Sequence, residues 1–342
     1  MTETRTMPAT ASGKGYTPKL YTDVAELIAR GPIEPPAPTC GLRRDGVGLI
    51  YRGHVNSFVG DPESGKTLLA QAIAADEMFV GGSVLLVDLD HNGAEATISR
   101  MLSFGIKPEV LSDPARFRYT EPEDPTEIAG IIEDAKIWQP SFVLIDSVGE
   151  LLPIYAANSN NPDDFTRVHA AAIKPFAMAG ACVVIIDHLA KGLQSRSYGA
   201  TGTGAKKRAI SGTMLRITVD EAFTPGAGGK SEIVILKDRH GGLRANSPRG
   251  KEPLAARFRL VDREGALTWY LDAPGENEQP RVSGNTGGED VTELVRILSE
   301  LTPPPASVRD VKGRCKWGTE KASLAWAAWQ TARSNAGMEV AA

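Results

Sequence analysis

Six apolar runs punctuate the chain between about residues 47 and 270: NSFVG (56–60), VLLVDLD (84–90), FVLID (142–146), CVVIID (182–187), MLRITVD (214–220) and EIVILKD (232–238). The first four are nearly continuous in apolar residues, as expected of parallel strands buried on both faces. Longer segments compatible with helix lie between them, so the pattern predicts an α/β layered domain with right-handed crossovers. Upstream, residues 1–19 read as a disordered tail. YTDVAELIARG (21–31) has helical spacing that stops at Gly31-Pro32, and IEPPAPT is an extended lead-in. Downstream, LDAPGENEQPRVSGNTGGED (271–290) reads as a linker. VTELVRILSEL and a later stretch predict a small all-helical unit. The expected domains are a tail with a short helix (1–30), the α/β domain (31–270), the linker (271–290) and the helical unit (291–342).

Composition narrows the class. Of 342 residues, 42% are hydrophobic and 23% charged, which suits a packed core. No apolar run reaches the roughly 18–20 residues of a membrane span. The first residues, MTETRTMPATASGKG, have no apolar core of a secretory signal. Cys40, Cys182 and Cys315 are far apart and odd in number, which gives neither a disulfide framework nor a zinc site. That usage points to the reducing cytoplasm. A net charge of −4 argues against a globally basic nucleic-acid binder and leaves room for a local basic surface.

The chemistry begins at Gly60-Asp61-Pro62-Glu63-Ser64-Gly65-Lys66-Thr67, a full match to G-x-x-x-x-G-K-[ST] between an apolar run and a helix-compatible segment. Its glycines let backbone N–H groups close around phosphates at a helix N-terminus. Lys66 is then placed for the β- and γ-phosphates of ATP, and the Thr67 hydroxyl for Mg²⁺. FVLIDS (142–147) delivers a second candidate metal ligand, the carboxylate of Asp146, at the end of a buried strand.

With GLIYRGHVNSFVGDPESGKT, VLLVDLDHNGAEATISRMLSFGI, FVLIDSVGELL, VVIIDHLAK and VILKDRHG in that order, the chain resembles the RecA-type ATPase core of the RepA- and DnaB-like hexameric helicases, in the actinobacterial and phage form. The resemblance covers about residues 30–250. It implies a RecA-like P-loop NTPase fold with a mostly parallel, doubly wound sheet. It also implies Asp90 as the carboxylate that orients the attacking water, where the family commonly has Glu. Asp88 is set aside because strand alternation turns it to the other face. Arg100 is either a functional arginine or a solvated helix charge. His188 is implied as a γ-phosphate sensor, Lys191 follows it, and the alternative for His188 is an ordinary strand-end histidine. Lys237 and Arg239 are implied as a finger reaching a neighbour's γ-phosphate from a projecting hairpin before His240-Gly241-Gly242, or are solvated hairpin charges.

Two segments suggest partners. SRSYGATGTGAKKRAISGT (195–213) combines glycines with Lys206, Lys207 and Arg208, and Tyr198 is available to stack on a base. It is either a single-stranded DNA contact or a solvated loop. The tail SVRDVKGRCKWGTEKASLAWAAWQTAR reads as helix, turn at Trp317-Gly318, helix. It is either a DNA-reading helix-turn-helix or, slightly favoured for want of a wing, a unit for docking a replication partner or packing subunits, anchored by Leu324, Trp326 and Trp329. The expected function is Mg²⁺-dependent ATP hydrolysis driving a hexameric, helicase-like motor on single-stranded DNA. The alternative is an ATP-gated switch or loader without unwinding, and a small-molecule kinase ranks below both.

Overall fold

A computed structural model describes residues 22–189, 204–280 and 291–339. The expected tail over 1–19, Lys191, Tyr198 and the second half of the expected linker lie outside the described residues. The chain divides at Pro36/Ala37 into two units. The first holds α1 (Val24–Ala29), begun by Asp23, whose carboxylate accepts from the Glu26 N–H.

The second unit opens with an antiparallel pair, β1 (Cys40–Leu42) and β2 (Gly48–Ile50). Then come β3 (Val55–Gly60), α2 (Lys66–Phe79), β4 (Val84–Asp88), α3 (Ala94–Ser103), α4 (Pro108–Leu111), β5 (Phe117–Thr120), α5 (Pro125–Trp138) and β6 (Phe142–Asp146). After α6 (Val148–Ile154), α7 (Pro162–Val168) runs through a π turn at His169–Ile173 into α8 (Lys174–Met178), and β7 (Cys182–His188) follows. The remainder is α9 (Gly204–Ala209), β8 (Thr213–Thr224), β9 (Gly228–Asp238), α10 (Gly242–Ala245), β10 (Leu254–Arg263) and β11 (Ala266–Asp272).

Nine of these strands form one sheet in the order β11-β10-β9-β8-β3-β7-β6-β4-β5. From β8 to β5 every neighbouring pair is parallel, and β9, β10 and β11 extend the sheet by antiparallel pairing. The strand leading into the P-loop and the strand ending in Asp146 are therefore not neighbours. β7, ending in Asp187-His188, lies between them.

The continuous apolar runs serve two cores. Phe142 and Leu144 of β6, with Leu86 and Val184, face α2 through Leu69 and Ile73. Val143 and Ile145, with Val87 and Val183, face the other layer through Ile128, Ile132, Leu151 and Phe165. Strand alternation thus feeds both faces, which is why no polar residue interrupts the run. All six runs lie in strands, though β4 stops at Asp88, before the end of its run. β11 reaches two residues into the segment read as a linker, with Leu271 buried.

Beyond residue 290, α11 (Val291–Glu300), α12 (Val308–Cys315) and α13 (Thr319–Glu339) gather around their own small core of Leu294, Leu298, Val311, Ala322, Ala325 and Trp329.

Candidate nucleotide site

The P-loop leaves the end of β3 and enters α2 through Gly65, which caps the helix at φ +88. A Cβ there would meet the Phe223 ring at 2.4 Å, so glycine is required by both conformation and space. The same strand pair braces the loop a second time, since Ser231 Oγ donates to the Ser64 carbonyl at 2.6 Å. Lys66 is buried, and its ammonium donates to the carbonyls of Gly60 (3.1 Å) and Asp61 (2.7 Å). Burial pulls its pKa down, opposed by the surrounding carboxylates of Asp146, Asp61, Asp187 and Asp90.

Thr67 Oγ1 donates to Asp146 Oδ2 at 2.8 Å, although the two residues are 79 apart in sequence. The contact exists because α2 packs on the face of β6 that presents Leu144 and Asp146. Burial pushes Asp146 up to about 6, assisted by Asp90 and Asp88 and opposed by Thr67 and Lys66. A hydroxyl and a buried carboxylate with raised proton affinity make a hard-oxygen pair that fits Mg²⁺, whose charge would keep Asp146 ionised. Two protein oxygens would leave the other positions of an octahedral Mg²⁺ to phosphate oxygens and water.

The two neighbouring carboxylates divide sharply, but not for the reason expected. Positions two apart on a strand share a face, so alternation cannot separate Asp88 from Asp90. Asp88 pairs with Asp146 in register on the α2 face. The strand ends there, and the N–H groups of Leu89 and Asp90 both turn back to the Asp146 carbonyl. Asp88 is buried and well partnered: it accepts from Asn92 Nδ2 (3.0 Å) and the Gly93 N–H (3.1 Å), and it shares the Tyr119 hydroxyl (2.7 Å) with Glu121. Asp90 is exposed and receives the hydroxyl of Ser147, the residue after Asp146, at 2.7 Å. The sequence placed Ser147 in plain view in FVLIDS without marking it as the partner of Asp90.

β7 brings His188 level with Gly60. Its neighbour Asp187 is buried and accepts from Lys206 Nζ at 2.6 Å, with both side chains 4% exposed. That corrects the reading of Lys206 as a nucleic-acid contact: its charge is spent inside the protein, and only Lys207 and Arg208 of the basic trio reach the surface. Arg100 also finds a partner, donating to Gln71 of α2 at 2.9 Å.

Lys237 and Arg239 part company. Lys237 Nζ donates to the carbonyls of Lys207 (2.7 Å), Arg208 (3.1 Å) and Ile210 (2.6 Å), capping the C-terminal end of α9 within its own chain. Arg239 is exposed, and its side chain has no hydrogen bond or ion pair among the described residues. The expected projecting hairpin is not found. Instead Asp238 folds the chain into α10, accepting from the N–H groups of Gly241 (3.0 Å) and Arg244 (2.9 Å) and from the Tyr51 hydroxyl (2.8 Å). Arg239 N–H donates to the Gly212 carbonyl and Gly212 N–H to that of Val55, so Arg239 lies level with the start of β3. The P-loop is five residues further along that strand, about 16 Å at the usual rise. An arginine side chain spans about 7 Å, so Arg239 does not reach its own phosphate site.

No family model matches the chain. Curated relatives are RecA proteins. That of Solidesulfovibrio magneticus is 30% identical over 122 residues, 35% of this chain and 32% of the relative. That of Gluconobacter oxydans is 28% identical over 125 residues, 36% of this chain and 34% of the relative. That of Symbiobacterium thermophilum is 23% identical over 243 residues, 66% of each. The chain thus spans about a third of the length of the first two. Among solved structures, a KaiC-like protein of Pyrococcus horikoshii aligns with 70% of this chain and 100% of its own, at 13% identity and a TM-score of 0.48.

Proposed function

We propose that the protein is a Mg²⁺-dependent ATPase that assembles from identical subunits, as a hexamer, and works as a helicase-like motor on single-stranded DNA. The observation that carries the ATPase reading is the 2.8 Å contact of Thr67 with Asp146, with the charges of Lys66 and Asp90 both near enough to act on Asp146. On this reading Lys66 leaves its loop carbonyls for the β- and γ-phosphates, while Thr67 and Asp146 hold Mg²⁺, which would neutralise phosphate charge. Asp90, steadied by Ser147, orients the attacking water. His188, one strand from the P-loop, senses the γ-phosphate. Arg239, out of reach of its own site, serves a neighbour's, and Lys237 holds α9 beneath it. The similarity to RecA proteins supports the RecA-type reading of the core.

The switch or loader reading draws on Lys206, whose burial removes one cation from the expected DNA segment. ATP hydrolysis measured with and without single-stranded DNA, beside a strand-displacement assay, separates the readings. Stimulation with displacement is the expected result. Stimulation without displacement leaves the switch, and no hydrolysis in Mg²⁺ rejects both.

A further inference from the structure

The C-terminal helices present a surface that the nucleotide site does not use. Between residues 306 and 330 five cations (Arg309, Lys312, Arg314, Lys316, Lys321) face two carboxylates (Asp310, Glu320), in a chain whose net charge is −4. Arg309 and Lys312 are exposed at i,i+3 spacing on α12, and Lys316, also exposed, follows at its C-terminal cap. Lys316 ends that helix in the left-handed region, and α13 begins at Thr319. Lys312 Nζ donates to Thr319 Oγ1 at 2.8 Å, which ties the cationic stripe to the first turn of α13. Along α13 the solvent side carries small residues, with Thr319 and Ala327 exposed and Ser323 half-buried between them, while Ala322, Ala325 and Trp329 turn inward.

The apolar anchors that favoured a protein-docking role are committed elsewhere. Trp329 is 4% exposed within the unit's own core, and Leu324 and Trp326 pack against that core. A cationic helix joined by a three-residue turn to a helix with a small, polar outer face matches the chemistry of duplex recognition. Cations position the phosphates, and short hydroxyl and methyl side chains fit against base edges.

We propose that α12 and α13 bind duplex DNA as a helix-turn-helix, with α12 along the backbone and the start of α13 in the major groove. This does not rest on the motor reading. The test uses the full-length protein, a blunt duplex and a single strand of the same sequence, with binding followed by fluorescence anisotropy across a salt series. The first variant combines Arg309→Gln, Lys312→Gln and Lys316→Asn, the last chosen because Asn tolerates the left-handed conformation. It should lower duplex affinity at least about tenfold and reduce the salt slope by about 2.7, the counterions of three phosphates. A second variant, Ser323→Glu, adds a charge to the groove face without touching the cations and should also lose duplex binding. ATP hydrolysis without DNA should be unchanged in both. Unchanged duplex affinity, a loss confined to the single strand, or a wild-type protein without duplex affinity overturns the proposal.

Discussion

Asp88 and Asp90 are chemically alike and two residues apart, yet one is buried among donors and the other is exposed beside Ser147. Asp90→Asn should preserve nucleotide binding and lower turnover by about 10²–10⁴, the usual scale for a lost general base. Asp88→Asn loses an acceptor for Tyr119, Asn92 and Gly93, so it should cost about 1–3 kcal/mol of stability and far less turnover. Nucleotide affinity, steady-state hydrolysis and urea unfolding of the two variants distinguish these outcomes, and a reversed ranking would move the water-orienting role to Asp88. Asp76 illustrates the same sensitivity away from the chemistry. Burial pushes it up to about 6, while Trp269 Nε1 donates to it at 3.3 Å. Its carboxyl therefore holds a proton more tightly folded than unfolded. That contribution to stability is complete below about pH 4 and is lost as pH rises through 6. Allowing for partial exposure, the cost above pH 7 is about 2 kcal/mol. Asp76→Asn should therefore raise the melting temperature by a few degrees at pH 7.5 and leave it unchanged at pH 4. An equal shift at both pH values would assign the effect to packing.

At the scale of elements, the sequence made the centre of the sheet readable and its margins obscure. β3, β4, β6 and β7 bury both faces, so their composition alone separates them from helix. β1 and β2 have three residues each, too few for a period to register. β10 and β11 alternate polar and apolar positions and pair antiparallel, which a search for continuous runs passes over. The P-loop and Asp146 were legible because each falls in a short local motif, G-x-x-x-x-G-K-[ST] and an apolar run ending in Asp. Phe223, Ser231 and the Asp187–Lys206 pair were not, because each acts through a contact distant in sequence. That ion pair allows a direct test. With both side chains 4% exposed, Asp187→Ala leaves a buried ammonium unpaired and should cost about 3–5 kcal/mol in urea unfolding. Asp187→Ala with Lys206→Met should recover most of the loss. A cost below about 1 kcal/mol for the single change would mean that water reaches the pair.

For the whole molecule, the decisive feature is the distance between Arg239 and its own P-loop. If Arg239 serves a neighbour, Arg239→Ala should retain ATP binding and lose hydrolysis. Mixing it with Lys66→Ala subunits should then restore part of the activity, once mixed oligomers are shown to form. Failure of that rescue in verified mixtures would remove the shared-site assembly and leave a P-loop ATPase. The strand that carries Arg239 adds a further consequence. β9 touches its own phosphate loop through Ser231 and delivers Arg239 eight residues later, about 27 Å away at the usual rise. If Arg239 serves a neighbour, donor and acceptor surfaces would sit at opposite poles of each subunit, and a chain of such contacts would run head to tail and have an arrow. Each subunit would receive from one side and give to the other, and a signal from a spent nucleotide could circulate in a single sense only.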